Sequence, residues 1–182
     1  MDKKELRQLV RDAKRAVPFE EKVARSRSIM AKAEELPQFQ AADLVLLYWS
    51  MDDEVATHEF VERWHIRKTL LLPCVEGNDL LLRPYTGPQC LRPGPQFGIG
   101  EPTGPLFEEL DKVKLIVVPG VAFDRQRNRL GRGRGFYDRL LKSTPNAFKV
   151  GVAFRFQMFN TLPVEPFDVP MDAVVSEDET LI

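Results

Sequence analysis

The sequence predicts an α/β domain, a β-sheet covered by helices on both faces. Short continuous apolar runs recur along the chain, among them DLVLLYW at 43–49, KTLLLPC at 68–74, KLIVVPG at 114–120 and KVGVAF at 149–154. They lack the apolar–polar alternation of a half-solvated strand, so both of their faces are buried. Helical periodicity fills much of the chain between them, and strands alternating with helices build covered sheets. At 182 residues the chain is long enough for one domain with a substantial core, spanning 1–182.

Residues 2–17 read as an amphipathic helix, with Leu6, Leu9, Val10, Ala13 and Val17 at helical spacing and Lys3, Arg7, Arg11 and Lys14 along another side. Pro18 breaks or restarts the helix, and residues 19–36 continue helical until Pro37, completing an N-terminal helical pair. The first strand at 43–49 leads into a polar turn, SMDDEV, and a helix at 57–67. Strands follow at KTLLLPC and DLLLRPY. Residues 84–105, crowded with proline and glycine, form a long irregular excursion, and loops of that length in compact domains are usually functional or mobile. KLIVVPG is the next strand, then the loop VAFDRQRNRLGRGRG, the helix FYDRLLKS, the strand KVGVAF and a last strand at DAVVSE.

Composition narrows the function classes. A net charge of −1 excludes a surface built wholly for nucleic acid. Two cysteines are too few for a disulfide framework, and Cys74, inside an apolar run, reads as a buried reduced thiol. With no apolar leader and no run of membrane-spanning length, the expectation is a cytoplasmic protein. The only histidines, His58 and His65, lie one heptad apart on the 57–67 segment and read as residues of a surface helix. Glu62 and His65 make an E-x-x-H pair, but metal ligation of that kind needs a second ligand set, and no other histidine exists.

The densest signal is NRLGRGRGFYDRLL at 128–141. It is neither a Walker loop, which needs Lys then Ser or Thr after its last glycine, nor a dinucleotide fingerprint, because its spacing is G-x-G-x-G. Six arginines and two aspartates between Asp124 and Arg139 give a local excess of +4. Glycines admit backbone N–H groups close to an anion, a helix N-terminus adds partial positive charge, and arginine forks grip phosphate oxygens. The strand-loop-helix order puts this segment at a strand's carboxyl end, where α/β sheets bind ligands. These features describe a polyphosphate site. Asp138 could either ligate Mg²⁺ or complement the helix dipole. A structural turn and a short RNA-binding Arg-Gly run compete with that reading. Asp52, Asp53 and Glu54 are most simply a solvated acidic turn, although a carboxylate there, beside Trp49, could bind the polar edge of a heterocycle. Asp168 and Asp172 lie in a proline-stiffened loop that could supply a second metal ligand.

Taken together and in order, KKELR at 3–7, YWSMDDEVAT, FGIGEP at 97–102, VVPGVAFDRQRNRLGRGRGFYDRLL, GVAFRFQ and LPVEPFDVPMDAVVSE resemble the 5-formyltetrahydrofolate cyclo-ligase family, also called 5,10-methenyltetrahydrofolate synthetases. The resemblance covers nearly the whole chain. It implies a three-layer fold with a mostly parallel sheet, of the kind shared with sugar-phosphate isomerases and CoA-transferases. The activity implied is ATP- and Mg²⁺-dependent closure of 5-formyltetrahydrofolate to 5,10-methenyltetrahydrofolate, with ADP and phosphate released. Phosphorylation of the formyl oxygen makes it a leaving group, and N10 attacks the activated carbon; no protein nucleophile is needed. The implied partners are the folate and ATP, with no nucleic acid or membrane, and the implied state is a monomer.

Carried over by position, Lys3, Arg7 and the segment Arg129, Leu130, Gly131, Arg132, Gly133, Arg134, Gly135, Phe136 and Tyr137 match the ATP-binding residues. Trp49, Glu54 and the 132–136 portion match the substrate-binding residues, and Glu54 suits the N–H-rich edge of a pterin. Asp138 and Asp168 match the Mg²⁺ ligands, and Arg134 and Tyr137 take the catalytic roles. Three departures stand out: Arg134 where other members carry lysine, Phe136 without a phenol hydroxyl, and Phe167 where many bacterial members place histidine. A phosphosugar isomerase and an RNA-binding module are the competing readings. The first has no use for Lys3 and Arg7; the second predicts salt-dependent nucleic-acid affinity without nucleotide turnover.

Overall fold

The computed structural model describes residues 1–182. The chain opens with α1 (Lys3–Ala16), α2 (Phe19–Glu34) and α3 (Pro37–Ala41). Then come β1 (Leu44–Leu46), α4 (His58–Trp64), a hairpin of β2 (Thr69–Glu76) and β3 (Asp79–Pro84), and a smaller hairpin of β4 (Leu91–Pro93) and β5 (Gly100–Pro102). The second half holds β6 (Leu115–Val118), β7 (Ala122–Asp124), β8 (Arg129–Leu130) and α5 (Phe136–Ser143). It closes with β9 (Phe148–Val152), β10 (Met158–Phe159), β11 (Ala173–Val175) and β12 (Thr180–Leu181).

Seven strands form the central sheet in the order β12-β11-β9-β6-β1-β2-β3. The inner five are parallel, and both edge strands, β3 and β12, are antiparallel. From β1 the chain winds to β2 on one side, then returns to lay β6 on the other. That reversal opens a crevice beyond the carboxyl ends of β1 and β6, where doubly wound sheets bind ligands.

Strands β1, β6 and β11 are buried throughout, and β2 and β9 are buried over most of their middle or carboxyl portions, as their unalternating sequences require. Val45, Leu47, Leu70, Leu72, Leu115 and Val117 join the side chains of α2, α3 and α4 in one core layer. Leu44, Leu46, Leu71, Ile116 and Val118 face the opposite way, against Leu140 and Leu141 of α5. Two apolar layers flank one sheet, which makes the three-layer architecture. Truncating a fully buried residue such as Leu46 or Ile116 to alanine costs on the order of 2–5 kcal/mol.

The N-terminal helix differs from its sequence reading. A capping box starts α1: Asp2 accepts from the amides of Lys4 and Glu5, both at 2.8 Å, and Glu5 accepts from the Asp2 amide. Its buried face carries Leu6 and Val10 together with Lys14, while Leu9 is exposed. Lys3, Arg7 and Lys14 thus share the inward side with the apolar residues, and Arg11 alone of the basic set points to solvent. That face packs on Val121, Ala122, Leu130 and Leu162, around a three-stranded sheet of β10, β7 and β8. Long cationic side chains reach past the apolar contact into the crevice beyond it.

Shorter elements also depart from the pattern. The 43–49 run forms only a three-residue strand, after which the chain bends to bring Tyr48 and Trp49 into the core and the crevice. The 84–105 excursion contains the β4–β5 hairpin, and the loop after KLIVVPG contains β7 and β8. The helix expected at 19–36 stops at Glu34, and α3 starts afresh with proline in its first turn.

Candidate active site

The crevice is a cavity of about 550 Å³. Every residue matched by the resemblance to ATP, substrate, metal or catalysis lines it, from Lys3 and Arg7 on α1 to Asp168 near the C-terminus; Asp172 does not, its carboxylate accepting instead from the Lys149 amide at 2.8 Å. Three walls build it. The loop after β6 forms the floor, the turn after β1 one side, and α1 with the 163–170 loop the other.

The loop works because two of its residues occupy left-handed backbone. Gly133 has φ +104° and Gly135, which starts α5, has φ +71°. A Cβ on Gly135 would also lie 2.7 Å from an Arg139 nitrogen. Between them Arg134 projects over the cleft, hydrogen-bonded to the side-chain oxygen of Gln96 and 5.8 Å from the Phe136 ring centre. The arginines of this stretch do not form one cationic face. Arg129 is 7% exposed, Arg125 pairs with Glu179 at the surface, and Arg132 turns to the acidic residues after β1. That dispersal weighs against a nucleic-acid surface, which needs its cations aligned and open.

Arg129 is the buried anchor of the floor. Its Nη1 donates to the Pro119 carbonyl at 3.1 Å, and its Nη2 lies 3.3 Å from Asp138 Oδ2. Nε finds no protein partner, leaving a buried donor in the cleft wall. Burial pulls the guanidinium pKa down, against the pull of Asp138. Tyr137 stacks its ring beside Arg129, 5.6 Å from the guanidinium carbon. Desolvation and the neighbouring Glu54 raise the phenol's pKa, so at neutral pH Tyr137 is a hydrogen-bond donor, not a phenolate.

At the turn after β1 the acidic residues are not simply solvated. Arg132 Nη2 reaches Asp53 at 3.1 Å and Glu54 at 3.2 Å. Asp53 also takes Lys14 of α1 at 3.3 Å. Burial pushes the Asp53 pKa up, but Lys14 and Arg132 outweigh it and hold the carboxyl below its usual range. Glu54 Oε2 accepts from the Met51 amide at 2.9 Å, and the Tyr48 hydroxyl donates to Val55 O at 2.7 Å, so the turn is rigid. Trp49 is stacked between His58, with ring centres 3.8 Å apart, and Tyr85. His58 is therefore half-buried, with Nε2 2.9 Å from Ser50 O, and supports the Trp49 wall instead of lying on a free surface.

The third wall holds the aspartates. Lys3 Nζ sits 2.7 Å from Asp168 Oδ2 and 2.7 Å from Glu165 Oε2, and these two carboxylates raise its pKa against the effect of burial. Asp138 Oδ1 accepts from the Val169 amide at 3.4 Å, which ties α5 to the 163–170 loop. Arg7 Nε donates to Gly131 O at 2.9 Å, so α1 clamps the glycine loop directly. No group of three or more His, Cys, Asp or Glu side chains forms an all-protein metal cage. The oxygen donors of Asp138 and Asp168 fit Mg²⁺, which is held through one or two carboxylates together with substrate phosphates and water.

Sequence reasoning did not find Lys14, Gln96 or Glu165 as parts of this site, and it named Asp53 only as one carboxylate of the turn, without its partners. Lys14 carried a usable signal, since it continues the Lys3–Arg7 stripe by two helical turns. Cys74 is buried as expected; its thiol contacts Pro102 O, and burial pushes its pKa up to about 11.

A doubly wound sheet with a glycine-built cleft at its switch point defines a class: an α/β protein whose cleft sets cations and carboxylates beside a flat aromatic wall. The comparisons make it particular. The profile of the 5-formyltetrahydrofolate cyclo-ligase family matches residues 1–177, and the chain belongs to that family. It is an enzyme, a ligase. The Haemophilus influenzae 5-formyltetrahydrofolate cyclo-ligase is 34% identical over 152 residues, 79% of this chain and 81% of that protein. The Escherichia coli K12 protein of the same name is 30% identical over 92% of this chain and 96% of its own length. Among solved structures, Aquifex aeolicus 5,10-methenyltetrahydrofolate synthetase aligns with a TM-score of 0.89 at 39% identity, covering 100% of this chain and 92% of that one. No helix of the chain is long and apolar enough to cross a membrane.

Proposed function

We propose that this protein converts 5-formyltetrahydrofolate to 5,10-methenyltetrahydrofolate, consuming ATP with Mg²⁺ and releasing ADP and phosphate. Family membership supports the folate conversion. The observation that carries the nucleotide dependence is the single cavity in which the glycine-arginine loop, the α1 cations and the two aspartates meet Glu54 and Trp49.

Glu54 accepts from the N–H groups of the pterin edge, beside the flat wall of Trp49. The polyphosphate lies along the loop, within reach of Lys3, Arg7 and Arg129. Lys3 is paired with Asp168 and Arg129 with Asp138. Asp138 and Asp168 are the residues that would hold Mg²⁺, which would neutralise phosphate charge, while Lys3 and Arg129 turn to phosphate oxygens. The formyl oxygen attacks the γ-phosphorus and its bond to ADP breaks. Arg134, held only by neutral groups, is free to follow the charge on the transferring phosphoryl group, and the Tyr137 phenol donates to it. N10 then attacks the formyl carbon and loses its proton, and the carbon–oxygen bond breaks with phosphate as the leaving group. The rigid turn and clamped loop hold the two substrates in register, which is the main demand of a reaction without a protein nucleophile.

The test is direct: purified protein with 5-formyltetrahydrofolate and Mg-ATP gives the conjugated methenyl product in the near ultraviolet, with one ADP per product. No product with authentic substrates and metal present overturns the proposal.

A further inference from the structure

The proposed reaction releases a proton from N10, and none of the groups that hold phosphate, metal or pterin is free to accept it. Five carboxylate side chains line the cavity: Glu54, Glu101, Asp138, Glu165 and Asp168. Four of them are paired with a cation, Glu54 with Arg132, Asp138 with Arg129, and Glu165 and Asp168 with Lys3. Glu101 is the exception. It is half-buried, its Oε2 accepts from the Val75 amide at 2.9 Å, and its other oxygen meets no protein donor. A partly buried charge without a counter-ion is costly to keep, and this one stays open to a proton.

The fold fixes its place. The carboxyl group lies at the carboxyl end of β2, against Gly94, where a Cβ would come within 2.5 Å of it. Strand β2 pairs directly with β1, whose following turn carries Trp49 and Glu54. The residue before Glu101 abuts that wall: a Cβ on Gly100 would lie 3.1 Å from Trp49 Cδ1.

We infer that Glu101 is the catalytic base of the ring closure. The inference rests on the proposed reaction. With the pterin on the β1 wall and the phosphorylated formyl group toward the loop after β6, N10 lies on the β2 side. The N10 lone pair forms the bond to the formyl carbon, and the π electrons between that carbon and N5 return to N5. The proton on N10, made acidic by the positive charge that the new bond brings, passes to a Glu101 oxygen and from there to water. The carbon–oxygen bond then breaks, phosphate leaves with its electron pair, and N5 and N10 share the positive charge of the methenyl bridge.

Rapid quench of a single turnover, with enzyme in excess over 5-formyltetrahydrofolate and Mg-ATP present, separates phosphoryl transfer from ring closure. ADP reports the first and the methenyl chromophore the second. Glu101→Gln keeps an oxygen for the Val75 amide but cannot take the proton. It forms ADP at the wild-type rate and the methenyl product about 10²- to 10⁴-fold more slowly, the scale of a positioned base. In folded Glu101→Ala, added formate restores the methenyl step in proportion to its concentration, which a packing role does not do. Equal slowing of ADP and methenyl formation in Glu101→Gln overturns the assignment, as does a Glu101→Ala variant indifferent to formate. Wild-type protein that forms no methenyl product overturns the proposed reaction itself. Wild-type turnover together with an unslowed Glu101→Gln variant overturns the base alone.

Discussion

The two ends of the cleft hold their charges differently. Where the first turn of α1 meets the 163–170 loop, Lys3 lies between Asp168 and Glu165, and Arg129 lies against Asp138, which ties α5 to that loop. Along the glycine loop, Arg134 meets only neutral groups, the amide oxygen of Gln96 and the Phe136 ring, and Arg7 and Lys142, also lining the cavity, are ion-paired to nothing. Charges paired in advance cost little to keep partly buried, and they respond to a ligand only by exchanging partners. An unpaired cation contributes its attraction directly to whatever anion arrives. On the proposed reaction, the paired end suits a ligand that brings both signs, and the glycine-loop end suits charge that develops during reaction.

The sharpest way to break this contrast is to remove the unpaired arginine. Arg134→Ala is expected to lower kcat about 10²- to 10³-fold, the scale of losing one preorganised donor to transition-state charge. KM for either substrate should move far less. Arg134→Lys should recover part of the rate, since it keeps the charge and loses the fork. Steady-state kinetics with both substrates varied measures the split. An unchanged kcat in Arg134→Ala would place the developing charge elsewhere.

The paired end yields a smaller, thermodynamic prediction. Metal alone must displace Lys3 and Arg129 from the aspartates, and nucleotide alone must strip those cations from them without compensation. Mg²⁺ and ATP should therefore bind with positive coupling, each raising the affinity of the other by the same factor, about 5- to 150-fold. Calorimetry of ATP with and without Mg²⁺, and of Mg²⁺ with and without ATP, measures both sides of the cycle. Lys3→Gln should strengthen binding of the metal alone and weaken the coupling. Equal ATP affinity with and without metal would show that the pairs are not exchanged.

The contrast also explains which parts of the site could be read from the sequence. The loop end was legible because its groups are consecutive: Gly131, Gly133 and Gly135 interleave with Arg132 and Arg134 ahead of a helix. The paired end joins Lys3 to Asp168 across 165 residues, and no local pattern states that meeting; only the order of motifs along the whole chain pointed to it. Leu9 was misplaced because periodicity counts apolar residues, whereas the inward face of α1 includes cations reaching a polar cleft. Strand positions were legible from continuous apolar runs. The two- and three-residue strands β7, β8, β4 and β5 were not, since they are too short for any periodicity and exist through tertiary pairing. His58 looked like a surface residue because its partner, Trp49, precedes the helix and turns back onto it.

The smallest effect expected lies between the two ends, at Asp53, which ties Lys14 to Arg132. The Lys14 side chain is 7% exposed, but that of Asp53 is 42% exposed, so water screens part of the pair. Asp53→Asn should then cost about 1 kcal/mol, well short of the loss from breaking a fully buried pair, and lower Tm by about 2–4 °C. Because the folded carboxyl titrates below its usual value, its contribution is complete above the unfolded carboxylate pKa of about 4. It is lost as pH falls through the lower folded value. Asp53→Asn should flatten that part of the acid limb of the stability curve, as denaturant melts between pH 3 and about 6 would record. Lys14→Met combined with Asp53→Asn should recover much of the loss, since the buried ammonium that lost its partner is then gone. A double variant no more stable than Asp53→Asn alone would show that the link to Arg132, not the pair with Lys14, is what Asp53 supplies.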